Sequence, residues 1–140
     1  MTGFEKIGTT NQRLYGERKL LLCGFAPPAQ SKFRTLMEML GIIEIPLIWA
    51  GNEDGDVLVG ELMRRTDDSG QGAESQLPRA LIVSGIEENE LHLLISGCRQ
   101  AGMKQALWAT LTPTSEGWPL NKLLNELISE RQALAKVKNH

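Results

Sequence analysis

The sequence predicts an α/β protein in which two βαβα-like repeats share one small four-stranded sheet. The first observation is a pair of short apolar runs, at residues 19–25 and 79–86. Apolar residues on consecutive positions suit strands that are buried on both faces of a sheet. The second is that each run is followed by a helical pattern, another short apolar run and another helical pattern. The third is that both series carry matching landmarks in the same order, which indicates an internal repeat.

Four pairs of landmarks support the repeat: Gly24 with Gly85, Gly41 with Gly102, Trp49 with Trp108, and Glu61 with Glu126. The two glycine pairs share an offset of 61 positions, whereas the tryptophan and glutamate pairs are offset by 59 and 65. The unequal offsets predict that the loop between the second strand and the second helix is six residues longer in the second repeat.

Prolines, a glycine and an acidic residue define the elements of the first repeat. Pro27 and Pro28 suit the first turn of a helix, where a backbone N–H would have no partner. Gly41 suits the end of this helix. The run at 47–50 is the second strand, and Asp56 is a candidate N-cap for a short closing helix that ends near residue 65.

The second repeat has the same order of elements. Glu87, Glu88 and Glu90 suit the start of its first helix, because the helix dipole favours negative charge there. The run at 106–111 is its second strand, and the closing helix begins near Pro119. Each strand–helix–strand unit supplies a right-handed crossover between parallel strands. A ferredoxin-like arrangement and a small doubly wound sheet both accommodate two such units, and the sequence leaves this choice open.

The chain divides into four segments: an N-terminal arm at 1–18, a first βαβα repeat at 19–65, a flexible linker at 66–78 and a second βαβα repeat at 79–136. The linker is polar and rich in glycine. It therefore buries too little apolar surface to offset the entropy lost when it is ordered.

Composition and charge exclude several classes of protein. Fifteen Lys and Arg oppose seventeen Asp and Glu, for a net charge of −2, so neither nucleic acid nor an anionic membrane is an expected partner. No apolar stretch approaches the ~20 residues of a membrane span, and the first residues lack the pattern of a secretion signal. Cys23 and Cys98 are expected to be buried thiols in a reducing cytoplasm.

The chain lacks the motifs of the common catalytic and phosphate-binding sites. His92 and the terminal His140 have no cysteine or acidic partner at ligand spacing, so we expect no metal site. No pair of nucleophile and base can be named. The sequence therefore favours a protein that is not an enzyme and that needs no cofactor.

Thr110, Thr112, Thr114, Ser115 and Trp118 form the candidate binding site. This hydroxyl-rich loop lies between a strand and a helix N-terminus, where α/β proteins usually bind ligands. Free N–H groups at the helix start suit an anion, and Trp118 offers a flat surface to a ligand or a partner protein. A structural role fits the same residues, with Ser115 or Thr114 capping a turn and Trp118 fastening the loop to the core.

Three stretches in the C-terminal part are distinctive: Leu111-Thr112-Pro113-Thr114, Trp118, and Leu123-Leu124-Asn125-Glu126-Leu127. Together with the strand, the acidic helix start and the glycines before them, they resemble bacterial domain-of-unknown-function family 3783 over residues 79–133. The family pattern has Asn after Thr-Pro-Thr, where this chain has Ser115. The family has no assigned reaction, so the resemblance implies a bacterial, cytoplasmic setting and no particular function.

Two functions of different classes fit the sequence. The first is a non-catalytic module that binds an unknown protein partner, or a second copy of this chain, through Trp118. The alternative is a regulator that binds a small molecule or an anion at the loop from Thr110 to Trp118.

Overall fold

Four strands form a single mixed sheet between two layers of helices in the computed structural model, which describes residues 12–138. The elements in chain order are β1 (Lys19–Cys23), α1 (Pro27–Leu40), β2 (Leu47–Ala50), α2 (Val59–Met63), β3 (Ala80–Ser84), α3 (Glu88–Gln100), β4 (Leu107–Thr110) and α4 (Leu120–Lys138). The strands lie in the order β2-β1-β3-β4. The predicted fold class, α/β with one four-stranded sheet, is confirmed.

The central pair of the sheet is antiparallel. β1 pairs with β3 in this way, with Leu21 opposite Ile82, while β2 runs parallel to β1 and β4 runs parallel to β3. Each parallel pair is linked by a crossover helix, α1 or α3. The sheet is therefore neither wholly antiparallel, as in a ferredoxin-like arrangement, nor wholly parallel, as in a doubly wound sheet. Two parallel pairs meet side by side in opposite directions.

Helices cover both faces of the sheet, which explains the consecutive apolar residues of its strands. Leu22 belongs to the face under α1 and α3, where Phe33 and Leu94 pack. Its neighbour Leu21 belongs to the opposite face, where α2 and α4 pack and Leu124 is buried. Since side chains alternate between the two faces along a strand, the consecutive residues 20–23 of β1 and 80–83 of β3 are all apolar and buried.

The two units share one spacing from their first strand to their second helix. Three pairs of equivalent residues are 61 positions apart: Leu21 and Ile82 at the centre of the sheet, Leu58 and Pro119 in an isolated antiparallel bridge, and Val59 and Leu120 at the first positions of α2 and α4. Duplication as the origin of this spacing stays a prediction.

The predicted match of Trp49 with Trp108 is wrong. Leu20 pairs with Leu47, and Leu81, which lies 61 positions after Leu20, pairs with Trp108. Trp108 therefore corresponds to Leu47. Because α2 and α4 begin at the same spacing, the loop before α4 is not six residues longer, as predicted, than the loop before α2. The prediction failed because it matched residue types, and the Trp-Ala pair recurs at a different strand position.

The short helix α2 begins at Val59 and not directly after Asp56, as predicted. No side chain of the described chain caps it. Its start is fixed by backbone pairing with the second unit. The Val59 N–H donates to the Trp118 carbonyl, and the Leu120 N–H donates to the Val57 carbonyl, both at 2.9 Å.

Residues 66–78, the predicted flexible linker, lie along the outer edge of β2. The Leu47 N–H donates to Asp67 Oδ1 at 2.8 Å. The Asp68 N–H donates to the Leu47 carbonyl at 2.7 Å, and the Trp49 N–H donates to the Ser69 carbonyl at 2.9 Å. These bonds occupy an edge that another strand could otherwise pair with. The mobility of this segment stays a prediction.

Residues 12–18, the described part of the predicted N-terminal arm, pack beside β3 and the start of α3. The Glu88 N–H donates to the Gln12 carbonyl at 3.0 Å, and the Leu14 N–H donates to the Ile86 carbonyl at 2.8 Å. These contacts cover the first turn of α3. The rest of the arm, residues 1–11, lies outside the described residues.

Gln30 fastens the middle of the 66–78 segment to α1. Its side chain is buried; Oε1 accepts the Gly72 N–H at 2.8 Å, and Nε2 donates to the carbonyls of Phe25 and Ala73 at 3.0 and 3.3 Å. A buried amide with both ends bonded holds the backbone around it in place, because breaking either bond leaves a buried polar group without a partner.

We predict that Gln30→Ala lowers the free energy of unfolding by about 1–3 kcal/mol, since buried polar groups lose their partners. Cleavage by a glutamate-specific protease at Glu74 should accelerate as the segment detaches. The control is Gln71→Ala, at an exposed residue of the same segment. Equal cleavage rates in the two variants would show that Gln30 does not hold the segment.

Candidate functional site

The five predicted binding residues lie at the end of β4 and in the turn before α4. Thr110, Thr112 and Thr114 are exposed. Ser115 is buried, and Trp118 is half-buried. The structure thus brings the five residues together in one short stretch, with the serine withdrawn from the surface.

Ser115 and Thr112 bond to each other. Ser115 Oγ accepts the Thr112 N–H, and Thr112 Oγ1 accepts the Ser115 N–H, both at 3.0 Å. The first unit has a comparable contact 61 positions earlier, where Asp54 Oδ2 accepts the Gly51 N–H at 2.8 Å. Such reciprocal bonds close a turn by satisfying its backbone donors. Ser115 therefore performs the turn-capping role that the sequence offered as an alternative.

Trp118 fastens the turn to the face of the sheet that α2 and α4 cover. Its ring packs against the cluster formed by α2 and α4, and Lys122 Nζ lies 4.8 Å from the ring centroid. An ammonium at this distance is attracted by the negative face of the ring. The Trp118 ring thus already has contacts within the protein, to the apolar cluster and to Lys122.

The backbone donors at the start of α4 are also engaged. The Leu120 N–H is bonded to the Val57 carbonyl, and the Asn121 N–H donates to the Gly55 carbonyl at 2.9 Å. Free N–H groups here were the reason to expect an anion. Since these two N–H groups have protein partners, the anion-binding alternative loses part of its support.

A recess that the sequence analysis did not identify lies between α1 and α3. This α1–α3 groove has a volume of about 1010 Å³. Most of its lining is apolar: Ala26, Pro28, Ala29, Phe33, Leu36, Met39, Leu40, Ala101 and Met103. The helices meet closely at Gly97, where an added Cβ would lie 2.8 Å from a methyl carbon of Leu40.

Met39 is the most exposed large apolar residue of the described chain, at 78%. It lies at the groove beside the half-buried Leu36 and Leu40. Methionine adapts its shape to varied apolar partners, which suits a binding surface. An open apolar recess of this size is a common sign of a binding site.

The charged side chains that line the groove are both positive. They belong to Lys32 and Arg79, and no described Asp or Glu lines it. The Arg79 guanidinium carbon lies 4.5 Å from the centroid of the Phe25 ring. The groove therefore favours an occupant that is apolar along its length and carries negative charge.

An ion pair lies at the start of α3, in the same helical layer as the groove. Arg18 donates to both carboxylate oxygens of Glu90, at 2.6 and 2.7 Å. Glu90 also accepts the Glu87 N–H at 3.0 Å, at the start of α3. The bonds from Arg18 hold the pKa of the Glu90 carboxyl below its ordinary value. At the acidic helix start predicted from the sequence, the Glu90 carboxylate is thus held by protein hydrogen bonds.

Neither cysteine is placed for nucleophilic chemistry. Cys23 and Cys98 are both buried and free, as predicted. Burial raises the pKa of the Cys23 thiol to about 12 and that of Cys98 to about 11, so both stay protonated and react poorly at neutral pH. Among the described residues, no group of three or more His, Cys, Asp or Glu could hold a metal ion. No helix within 12–138 has the length and apolar composition of a membrane span.

The fold and the groove together define a three-layer α/β protein with an apolar recess between the two helices of one layer. Residues 79–134 match the model of a family described as a domain of unknown function, DUF3783. This range is the second unit, from β3 into α4, so the predicted resemblance of the C-terminal half is confirmed. No curated protein and no solved structure matches the chain.

We predict that Glu90→Gln lowers the free energy of unfolding at pH 7 by about 1–2 kcal/mol, because a partly buried charge-assisted pair is lost. A carboxyl whose pKa is lowered in the folded state stabilises the protein above its unfolded pKa. That stability is lost as the pH falls through the lower folded value. The difference between the wild type and the variant should therefore shrink below about pH 4.5. Exposed Glu126→Gln is the control, and a difference constant down to pH 2 would contradict the role of the ion pair.

We expect the predicted loop to give no saturable response to phosphate, nucleotides or small carboxylates, because the donors at the start of α4 are occupied. Indole fluorescence of the full chain measures this. Trp118→Phe is the control, since Trp49 and Trp108 also emit. A saturable change that disappears in Trp118→Phe would instead establish a small-molecule site at this loop.

Proposed function

We propose that the chain is a non-catalytic protein-binding module whose α1–α3 groove receives an amphipathic helix of a partner protein. The observation that carries the proposal is the open apolar groove of about 1010 Å³ with Met39 exposed beside it. Amphipathic helices bind in such grooves by burying one apolar face.

The dimensions of the groove fit a helix. α1 has 14 residues and lines the groove from its first turn to its last, a length of about 20 Å. Three to four turns of a partner helix would cover this length. Ala101 and Gly102, exposed directly after α3, leave room for close approach, because small side chains let helix backbones come near each other.

Charge selects the kind of helix. The net charge of the chain is −2, yet the charged residues that line the groove are the cations Lys32 and Arg79. A partner with acidic residues beside its apolar face would complement them and bind faster and more selectively than a basic one. The proposal includes a bacterial cytoplasm as the setting, which two free, buried thiols suit.

We predict that Met39→Glu lowers partner affinity at least tenfold, because it places a negative charge on the apolar surface. Leu134→Glu is the matched control, since Leu134 is 64% exposed on α4 and lies outside the groove. Proteins retained by the immobilised full chain are identified by mass spectrometry, purified and titrated against each variant. Both variants should fold, as both positions are exposed.

The proposal requires that the purified partner binds the wild type and Leu134→Glu but not Met39→Glu. Binding that survives Met39→Glu would overturn the groove as the docking surface. A second copy of this chain as the retained partner would replace the proposed helix with self-association.

A further inference from the structure

Arg18 and Arg79 occupy equivalent places in the two units. Each directly precedes the first strand of its unit, and they are 61 positions apart, as are the facing residues Leu21 and Ile82. By the same spacing, the counterpart of Glu90 is Ala29. Glu90 is the third residue of α3, and Ala29 is the third residue of α1.

The two arginines differ in what they bind. Arg18 holds the Glu90 carboxylate through two short bonds, of 2.6 and 2.7 Å. Arg79 faces no such group, because alanine stands at the equivalent of Glu90. Its guanidinium donates to the Gly24 carbonyl at 3.3 and 3.4 Å, which is long for such a bond. Among the described residues, Arg79 forms no ion pair.

Ala29 and Arg79 both line the α1–α3 groove. The place that a carboxylate fills in the second unit is therefore open to a ligand in the first. The rest of the groove beside it is apolar, with Phe33, Leu36 and Met103 in its lining. A carboxylate bound here would thus extend from an apolar body.

We propose that an acidic side chain of the docked helix lies beside Ala29 and pairs with Arg79, as Glu90 pairs with Arg18. This inference rests on the proposed function and names the residue that sets its specificity. A planar guanidinium donates two parallel hydrogen bonds to a carboxylate, which fixes the position and direction of the group that carries it. Arg79 therefore sets the register of the partner helix in the groove.

The first experiment installs the missing carboxylate in the full chain. In Ala29→Glu, the pKa of the new carboxyl, measured by NMR, should lie below the ordinary 4.5 for glutamate. The Ala29→Glu protein should also have a higher melting temperature than the Ala29→Gln protein. Adding Arg79→Gln should raise this pKa and remove the gain in melting temperature, leaving only the effect of the helix start on the carboxylate. A carboxyl in Ala29→Glu whose pKa is the same with and without Arg79 would overturn the inference.

The second experiment uses a displayed library of amphipathic helical peptides, selected on the full chain. Peptides that bind the wild type but not Met39→Glu are resynthesised with each acidic residue changed to its amide. One such change should weaken binding roughly tenfold to the wild type and to Arg18→Gln, but not to Arg79→Gln. Melting curves confirm that the arginine variants are folded at the temperature of the titration.

The outcomes separate this inference from the proposed function. Peptides that need Met39 but show no coupling between an acidic residue and Arg79 would overturn the inference and leave the groove as the docking surface. Failure to select any peptide that depends on Met39 would overturn both. Coupling to Arg79 alone, with none to Arg18, is the result that the structure predicts.

Discussion

The antiparallel pairing of β1 with β3 is the constraint on which the rest of the structure depends. It places the two parallel pairs side by side and so creates one four-stranded sheet from two short units. Without it, each unit would hold only two strands, and the inner edge of β1 or β3 would have no hydrogen-bonding partner. Because helices lie on both faces, the paired strands are apolar at consecutive positions, and only their paired ends, Lys19 and Ser84, are polar. Residues 79–134, which match the family model, lie in the second unit, and their strand β3 pairs along one edge with β1 of the first unit.

The same arrangement shows how the two ends of the α1–α3 layer differ in structure. Equivalent backbone positions carry Arg18 with Glu90 in one place and Arg79 with Ala29 in the other. At the first place, residues 12–18 and the ion pair cover the start of α3. At the second, the groove is open. In the proposed function, one of two equivalent places contributes to stability and the other binds the partner.

Much of the fold follows from the sequence, since its signals are local. The apolar runs predict β1 and β3, and Gly41 ends α1 with a left-handed conformation that glycine adopts readily. Strand order depends instead on which edges meet, and no local pattern encodes that. The position of Trp108 was misassigned because a large apolar residue suits several strand positions equally, whereas backbone register distinguishes them.

The loop from Thr110 to Trp118 could be found from the sequence because hydroxyl-rich turns stand out, but its internal bonds could not. Ser115 looks the same in sequence whether it binds a ligand or the Thr112 backbone. The groove was missed for the opposite reason. Its residues follow the ordinary helical spacing of a core, and only packing shows that α3 leaves Leu36 and Met39 partly uncovered. An apolar position beyond the buried stripe, such as Met39, was the available signal.

The location of the binding surface is the central claim, and NMR mapping of the full chain tests it most directly. Backbone amide shifts are compared with and without a bound amphipathic helical peptide that carries one acidic residue. Binding in the groove predicts changes concentrated in residues 29–40 and 97–103, with Arg79 among the perturbed side chains. Changes concentrated at residues 110–118, with the two groove segments unaffected, would contradict it.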